Sequence, residues 1–247
     1  MGKLIVANWK SNPSTLQEVL KLARASDFKN VVIAPPYPYL EKVGKLLKHA
    51  SLGSQNAFWE KEGPYTGEVS LNQLKNLKVK YVIIGHSERR QLGETDKVIS
   101  RKVKAGLGSG FKVILCVGEN WSTRRKGITA AKRFVANQLK KDLKQIRNSK
   151  LKIRNLAIAY EPVWAISTSR GGKPDTPRES AQIMSFIRGL LYSKFEIRNS
   201  KLIYGGSVNP KNAKSFLSEP EIDGALVGGA SLIPQQFKTI IKIRDSV

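Results

Sequence analysis

The feature that most constrains the fold is an alternation of short apolar runs with stretches of helical periodicity along the whole chain. The apolar runs are almost continuously hydrophobic, which is typical of strands buried on both faces of a parallel sheet. The candidate strands are LIVAN from Leu4, VVIAPP from Val31, ASLGSQN from Ala50, YVIIGHS from Tyr81, VILCVGE from Val113, LAIAYEP from Leu156, LIYGGS from Leu202 and ALVGG from Ala225. The run at 50–56 is the weakest because it is the most polar.

Between these runs, apolar residues recur at intervals of three and four, which is the spacing of one face of an α-helix. Such sets of apolar residues begin at Leu16, Leu40, Val135 and Ile183. Two further pairs, Thr176-Pro177 and Asn209-Pro210, each predict an N-cap followed by proline at the first helical position. Because strands and helices alternate, right-handed crossover connections onto a parallel sheet are expected.

The number of strand candidates decides between two α/β architectures. Eight strands favour a closed (β/α)8 barrel. An open, doubly wound sheet would be expected to carry a glycine-rich dinucleotide fingerprint after its first strand, and LIVANWKSNP contains none. We find no linker, so the sequence predicts one barrel domain over residues 1–247.

The net charge of the chain is strongly positive. Forty-three lysines and arginines face nineteen acidic residues, which gives a formal charge of +24. A field of this sign attracts anions such as phosphorylated metabolites, nucleic acids or membrane surfaces. The basic residues are densest at 138–155, but no nucleic-acid-binding motif accompanies them. We therefore expect a solvated, lysine-rich surface and no specific nucleic-acid binding.

Composition also narrows the chemistry and the compartment. The single cysteine, Cys116, cannot form an internal disulfide, and one cysteine with two histidines cannot build a Cys/His zinc cluster. No apolar run approaches the length of a membrane span, and the apolar run at the N-terminus is too short for a signal peptide. The expectation is a cytoplasmic protein with no metal ion and no membrane contact.

Polar residues follow several of the predicted strands, where the active sites of barrel enzymes are built. Asn8 and Lys10 end the first strand, His86 follows the fourth, and Glu161 follows the sixth. Glu161 is either a general base or a structural acid paired with a cation. His86 precedes a predicted helix start, and a helix N-terminus favours the neutral imidazole, which can donate to a carbonyl oxygen. Lys10 is either a cation at the barrel mouth or one more solvated lysine.

Glycine pairs close the last two predicted strands, in YGGSV at 204–208 and LVGGASL at 226–232. Glycine allows backbone N–H groups to approach an anion, and a phosphate site at these two loops is common in barrels. A carboxylate, a neutral imidazole, a cation and a phosphate site together suit proton abstraction beside a carbonyl of a small phosphorylated sugar. That reaction needs neither a cofactor nor a metal ion.

Several stretches of the chain resemble the triosephosphate isomerase family and occur in the family's order. They are ANWKSN, VVIAPP, SQNAFWEKEGPYTGEVS, YVIIGHSERR, CVGE, AYEPVWAI, YGGSV and LVGGASL. The resemblance implies a TIM barrel and a cofactor-free aldose–ketose isomerase of glycolysis and gluconeogenesis. It implies that Glu161 is the base, His86 the neutral electrophile, Lys10 the electrostatic clamp and Asn8 a substrate-orienting residue. Glu88 would lie behind these groups.

The resemblance also implies how the phosphate is held. Ser207, Gly228 and Gly229 would bind it with backbone N–H groups, joined by Ser167 from a mobile lid. Trp164 would belong to the first hinge of that lid. The loop from Gln55 to Ser70 would dock into a second subunit of a homodimer, which would place Thr66 near the partner's active site.

The lid departs from the family's pattern. Serines stand at 167 and 169, where the family usually has glycines, and the stretch before Thr176-Pro177 is about three residues longer. Either Arg170 or Lys173 corresponds to the family's lid lysine. These departures leave open a different phosphosugar isomerase on the same barrel, and the net charge leaves open a non-enzymatic, nucleic-acid-binding barrel.

Overall fold

The computed structural model describes residues 2–146, 153–166 and 174–247. The predicted (β/α)8 barrel is confirmed: eight parallel strands close in sequence order, with β8 paired to β1. The weak candidate near residue 50 is one of them. The strands are β1 Leu4–Asn8, β2 Val31–Ala34, β3 Ser51–Ser54, β4 Tyr81–Ile84, β5 Lys112–Val117, β6 Leu156–Tyr160, β7 Lys201–Tyr204 and β8 Gly224–Val227.

Helices surround the barrel and bury their apolar faces against the strands. The described α-helices are α1 Leu16–Ala25, α2 Leu40–Leu46, α3 Leu71–Asn76, α4 Ser87–Gln91, α5 Asp96–Gly108, α6 Trp121–Arg124, α7 Ile128–Asp142, α8 Pro177–Phe195, α9 Ala213–Leu217 and α10 Pro234–Asp245. Short 3-10 helices span Tyr37–Tyr39, Ile153–Asn155, Val163–Ala165 and Gly229–Leu232. In the described part of the chain, no helix is long and apolar enough to cross a membrane.

One of the two predicted N-caps is confirmed. The Thr176 hydroxyl accepts a hydrogen bond from the Glu179 N–H, with Pro177 in the first turn of α8. At Asn209-Pro210 the prediction was wrong, since α9 begins only at Ala213. There the Asn209 N–H donates to Asn212 Oδ1 at 2.8 Å, so a side-chain-stabilised turn precedes the helix.

The core has two layers, and the alternation of side chains along each strand separates them. One layer packs between strands and helices, and the other fills the barrel. The inner layer is Leu4, Val6, Val32, Ala34, Ile83, Ile114, Cys116, Ala157, Ala159, Ile203 and Leu226. Because every second side chain of a strand points to the barrel axis, the residue two positions after the last inner residue lies on the same face. These residues, at the barrel mouth, are Asn8, Gly118, Glu161, Gly205 and Gly228.

Candidate active site

The end of β1 supplies a buried amide and a half-buried cation. Asn8 Oδ1 accepts a hydrogen bond from the Lys10 N–H at 3.1 Å. Lys10 has a φ of 53°, a left-handed conformation that non-glycine residues rarely adopt. Its Nζ donates to Glu88 Oε1 at 2.6 Å, and its carbonyl accepts from Gln55 Nε2 at 2.7 Å. Contacts from α4 and from the segment after β3 thus fix Lys10 at the mouth.

His86 follows β4 and is the N-cap residue of α4. Its Nδ1 accepts a hydrogen bond from the Glu88 N–H at 3.3 Å. A backbone N–H can only donate, so this contact requires an unprotonated Nδ1, and the proton of the neutral ring is on Nε2. Nε2 lies 3.2 Å from Glu161 Oε1. The fold therefore selects the tautomer that presents a donor beside the carboxylate.

Glu161 continues the inner face of β6 and is 1% exposed. Its Oε2 accepts a hydrogen bond from the Ser87 N–H at 2.9 Å. Glycines flank it on both neighbouring strands. A Cβ on Gly118 would lie 1.6 Å from the Glu161 carbonyl oxygen, and one on Gly205 would lie 2.7 Å from Glu161 Cγ. Those two positions therefore accept no side chain while Glu161 stays where it is.

An open cavity of about 250 Å³ lies at the mouth. Its walls include most of the residues that the sequence predicts for the site: Asn8, Lys10, His86, Ser207, Gly228 and Gly229. A Cβ on Gly228 would lie 3.3 Å from Lys10 Cε, so the methylene chain of Lys10 passes beside the turn after β8. Glu161 does not line the cavity, because its carboxylate is turned towards Ser87.

The predicted phosphate-binding residues come from two turns of the chain. Gly228 accepts two hydrogen bonds at its carbonyl, from the Ser231 N–H at 2.8 Å and from Ser231 Oγ at 2.6 Å. The Ser207 N–H donates to the Ala165 carbonyl at 3.3 Å. Ser167 and the two candidates for the lid cation, Arg170 and Lys173, lie outside the described residues.

Sequence reasoning missed the role of Glu119. This fully buried carboxylate ends VILCVGE, just as Glu161 ends its own apolar run, and the same strand-end rule would have found it. The Tyr160 hydroxyl lies 3.1 Å from both of its oxygens, and Trp164 Nε1 donates to it at 2.9 Å. Glu119 therefore fixes the predicted hinge tryptophan to the end of β5.

Cys116 lies on the inner face of β5, one strand away from Glu161. It is fully buried. Burial raises the pKa of the Cys116 thiol well above its usual value, and the Glu161 carboxylate raises that pKa further. The thiol is therefore a neutral, packed neighbour of the carboxylate and not a thiolate nucleophile.

Arg90 ties the ends of β4 and β5 together, and sequence reasoning did not single it out either. Its guanidinium donates to the Gly85 carbonyl at 2.7 Å, the Cys116 carbonyl at 3.1 Å and Asp96 Oδ1 at 2.8 Å. It also donates to Asp142 Oδ2 at 2.6 Å. Burial raises the pKa of Asp142 to about 7, although the guanidinium opposes this shift.

Removing this guanidinium is expected to destabilise the barrel. Arg90→Met leaves the fully buried Asp142 carboxyl without its cation, and breaking a buried pair in this way typically costs about 3–5 kcal/mol. Urea unfolding followed by circular dichroism would measure the loss. The double variant Arg90→Met/Asp142→Leu should recover the part of this loss that comes from the unpaired Asp142 carboxyl. A single variant within about 1 kcal/mol of the parent would show that the ion pair contributes no more than an exposed one.

The arrangement brings four chemical functions together at the barrel mouth. These are a carboxylate, an imidazole with its proton on Nε2, an ammonium group and the glycine turns after β7 and β8, where no side chain covers the backbone. Among the described residues, no three His, Cys, Asp or Glu side chains form a group that could hold a metal ion. Such a set can move a proton beside a carbonyl and stabilise the charge that develops on its oxygen.

The chain is similar to known proteins over nearly its whole length. The family model described as triosephosphate isomerase matches residues 3–244. The triosephosphate isomerase of Dictyoglomus turgidum is 44% identical, covering 97% of this chain and 98% of the relative. That of Thermoanaerobacter pseudethanolicus is 42% identical, covering 96% and 98%, and that of Aquifex aeolicus is 40% identical, covering 98% and 99%.

Proposed function

The chain belongs to the triosephosphate isomerase family, so its reaction interconverts D-glyceraldehyde 3-phosphate and dihydroxyacetone phosphate, and we propose that Glu161, His86 and Lys10 carry it out. This reaction is a step of glycolysis and gluconeogenesis. It moves one proton between adjacent carbons and another between their oxygens, through an enediol or enediolate. The assignment of the residues rests on the geometry at the barrel mouth.

Glu161 is the base in this proposal. It removes the proton from the carbon beside the carbonyl and returns it to the neighbouring carbon. Its carboxylate must leave the Ser87 N–H and turn towards the cavity before it can reach a substrate. Glycines at 118 and 205 keep side chains away from the backbone and stem of Glu161. The carboxylate therefore starts from a defined, desolvated position.

His86 and Lys10 act on the substrate oxygens. The Nε2 proton of His86 is available to the carbonyl oxygen, because Nδ1 is occupied by the Glu88 N–H. The ammonium group of Lys10 stabilises the negative charge that develops on the same oxygen. Asn8 holds the Lys10 backbone through its Oδ1, and Glu88 holds the ammonium group from behind. No cofactor is part of the proposal.

The substrate phosphate is placed at the turns after β7 and β8. Ser207, Gly228 and Gly229 line the same cavity as Lys10 and His86. Gly229 has open space where a side chain would begin, so an anion can come close to its backbone. The Ser207 N–H must exchange the Ala165 carbonyl for a phosphate oxygen to take part. Ser167 would complete the set when a lid excludes water from the site.

The observation that carries the assignment is the contact between His86 Nε2 and Glu161 Oε1 beside a cavity that also contains Lys10. The test is an assay of purified protein with both triose phosphates and a panel of other phosphosugars. Rapid isomerisation of the trioses alone supports the proposal. Failure to isomerise them, together with no binding of a phosphorylated enediolate mimic, would remove it.

The positive field of the protein is expected to speed the encounter with substrate, which is a dianion. Raising the ionic strength from about 0.02 to 0.2 M should lower kcat/KM by about tenfold, because the Debye length then falls to below about 10 Å. Stopped-flow or coupled assays across this range measure the effect, with kcat as the internal control. A flat profile would show that the +24 charge does not steer substrate.

We also propose that the chain forms a homodimer through the loop from Gln55 to Ser70. Residues 60–68 of this loop are all exposed in the single chain. The loop is stiffened by ring contacts from Phe58 to Trp59 and Tyr65. At its start, Gln55 Nε2 donates to the Lys10 carbonyl, so the loop that would meet a partner also supports the catalytic lysine.

Placing a charge in this loop is expected to separate the subunits and weaken activity together. Thr66→Glu should raise the dimer dissociation constant by about 10² or more, because an unpaired charge would be buried. Sedimentation velocity of the parent should give about twice the 27.4 kDa chain mass. Thr129→Glu, at an exposed position in the first turn of α7, is the matched control. A monomeric parent with full activity would contradict the proposal.

A cytoplasmic location belongs to the same proposal. It is supported by the place of the reaction in central metabolism and by the single cysteine, which cannot form an intramolecular disulfide.

A further inference from the structure

One stretch of the chain carries a large excess of positive charge, and its two long helices lie on the outside of the barrel, away from the proposed reaction. Between residues 96 and 146 the sequence has thirteen lysines and arginines and three acidic residues. This segment contains α5, β5 and α7, and α5 packs against α7 on the outside of the barrel. We define the α5–α7 face as the exposed side chains of Lys97, Lys104, Arg133, Lys140 and Lys144.

The acids of this segment are already engaged, so they do not neutralise the face. Asp96 pairs with Arg90 and Lys141, and the fully buried Asp142 pairs with Arg90. Glu119 is buried at the barrel mouth, where it accepts hydrogen bonds from tyrosine and tryptophan. No ion pair joins any of the five cations of the α5–α7 face to a carboxylate within the described ranges. Their charges therefore face solvent.

The spacing of these cations matches a linear polyanion. Lys97 and Lys104 are seven residues apart on α5, as are Arg133 and Lys140 on α7. Seven residues are about two helical turns, so each pair shares one side of its helix over about 10.5 Å. Packed helix axes lie about 8–10 Å apart. A DNA duplex presents about six phosphate charges over 10.5 Å of its axis.

We propose that the α5–α7 face is a non-specific binding surface for the phosphate backbone of nucleic acid. Lysines contact phosphates as point charges and carry no sequence information, which agrees with a surface that has no base-reading motif. An anionic bilayer would also attract this charge, but interfacial binding usually adds apolar side chains that insert. Among large apolar residues of α5 and α7, Phe134 alone is exposed, at 38%.

The test is fluorescence anisotropy with a labelled duplex of mixed sequence, in KCl from about 50 to 200 mM. The logarithm of the binding constant should fall linearly with the logarithm of salt concentration, with a slope of about −0.9 per phosphate neutralised. Lys104→Gln/Lys140→Gln/Lys144→Gln should reduce that slope by about three units and weaken binding at least tenfold at about 100 mM salt.

A matched variant removes the same charge elsewhere. Lys214→Gln/Lys238→Gln/Lys242→Gln changes exposed lysines on α9 and α10 and should alter the slope by less than about one unit. Both triple variants should keep the parent's kcat for isomerisation, which shows that they are folded. If the patch variant loses activity, the double variant Lys140→Gln/Lys144→Gln takes its place, with an expected slope change of about two units.

Three results would overturn the proposal. The first is equal weakening by the two triple variants, since binding would then follow total charge and not this face. The second is no measurable binding to the duplex at about 50 mM salt, where phosphate contacts are strong. The third is binding to vesicles containing phosphatidylserine at a salt concentration that abolishes binding to the duplex.

Discussion

Glu161→Gln is expected to lower kcat for triose phosphate isomerisation by about 10³- to 10⁴-fold, the upper range for loss of a general base. Glutamine has nearly the same shape, and its carbonyl oxygen can still accept the Ser87 N–H, as the Glu161 carboxylate does at 2.9 Å. It cannot accept a proton from carbon at neutral pH. The variant should therefore fold and bind a phosphorylated enediolate mimic within about tenfold of the parent, while the chemical step fails.

Solvent hydrogen exchange gives a direct measurement of that step. The parent should incorporate solvent deuterium into both triose phosphates, and Glu161→Gln should not do so at a comparable rate. Glu41→Gln, which removes an exposed carboxylate from α2, is the matched control and should leave kcat unchanged. A Glu161→Gln variant that keeps more than about a tenth of the parent's kcat would place the base elsewhere.

Lys10→Met is expected to lower kcat/KM by about 10²- to 10³-fold, as does the loss of one strong stabiliser of a developing oxyanion. The ammonium group lies at the cavity, and its stem runs along Gly228 at the turn where the phosphate is proposed to bind. Methionine fills a similar volume without the charge. Both the chemical step and the affinity for the phosphate dianion should fall, so kcat decreases and KM rises.

A double variant separates this role from a merely structural one. Lys10 Nζ donates to Glu88 Oε1 at 2.6 Å, so Lys10→Met also leaves Glu88 without its cation. If neutralising Glu88 were the only task of Lys10, then Lys10→Met/Glu88→Gln would regain most of the activity. We expect no recovery beyond about tenfold, because the substrate still lacks its cation. Lys21→Met, at an exposed position on α1, is the control for net charge.

The sequence was sufficient for the architecture because the relevant signals are local. Continuous apolar runs and three-to-four spacing report which segments are strands and helices, and their alternation leaves few topologies. The period of two then places particular residues on the inner face of a strand. Ala157, Ala159 and Glu161 follow one another in this way. The period of two accounts for Asn8 and Glu161, whereas His86 was predictable at the same mouth only because it follows the carboxyl end of β4.

Where local signals compete, the sequence misled. Asn209-Pro210 has the residue types of a helix start, yet the Asn212 side chain accepts the Asn209 N–H and the helix begins later, at Ala213. Glu119 also follows a strand, two residues past β5, whereas Glu161 is one residue past β6. The partners of Glu119 are the Tyr160 hydroxyl and the Trp164 indole, which come from the next strand and the segment after it. A residue type at a strand end does not by itself distinguish these two uses.

The sequence by itself determined the order of the elements, the closed barrel and the strand ends that the polar residues follow. The tertiary structure alone decided what those residues contact: Glu161 on the Ser87 N–H, His86 with its Nδ1 capping α4, and Lys10 against Glu88. The physical reason is the distance along the chain over which each feature is determined. Periodicity is set by the geometry of one strand or helix, whereas these contacts join different strands and depend on how the barrel closes.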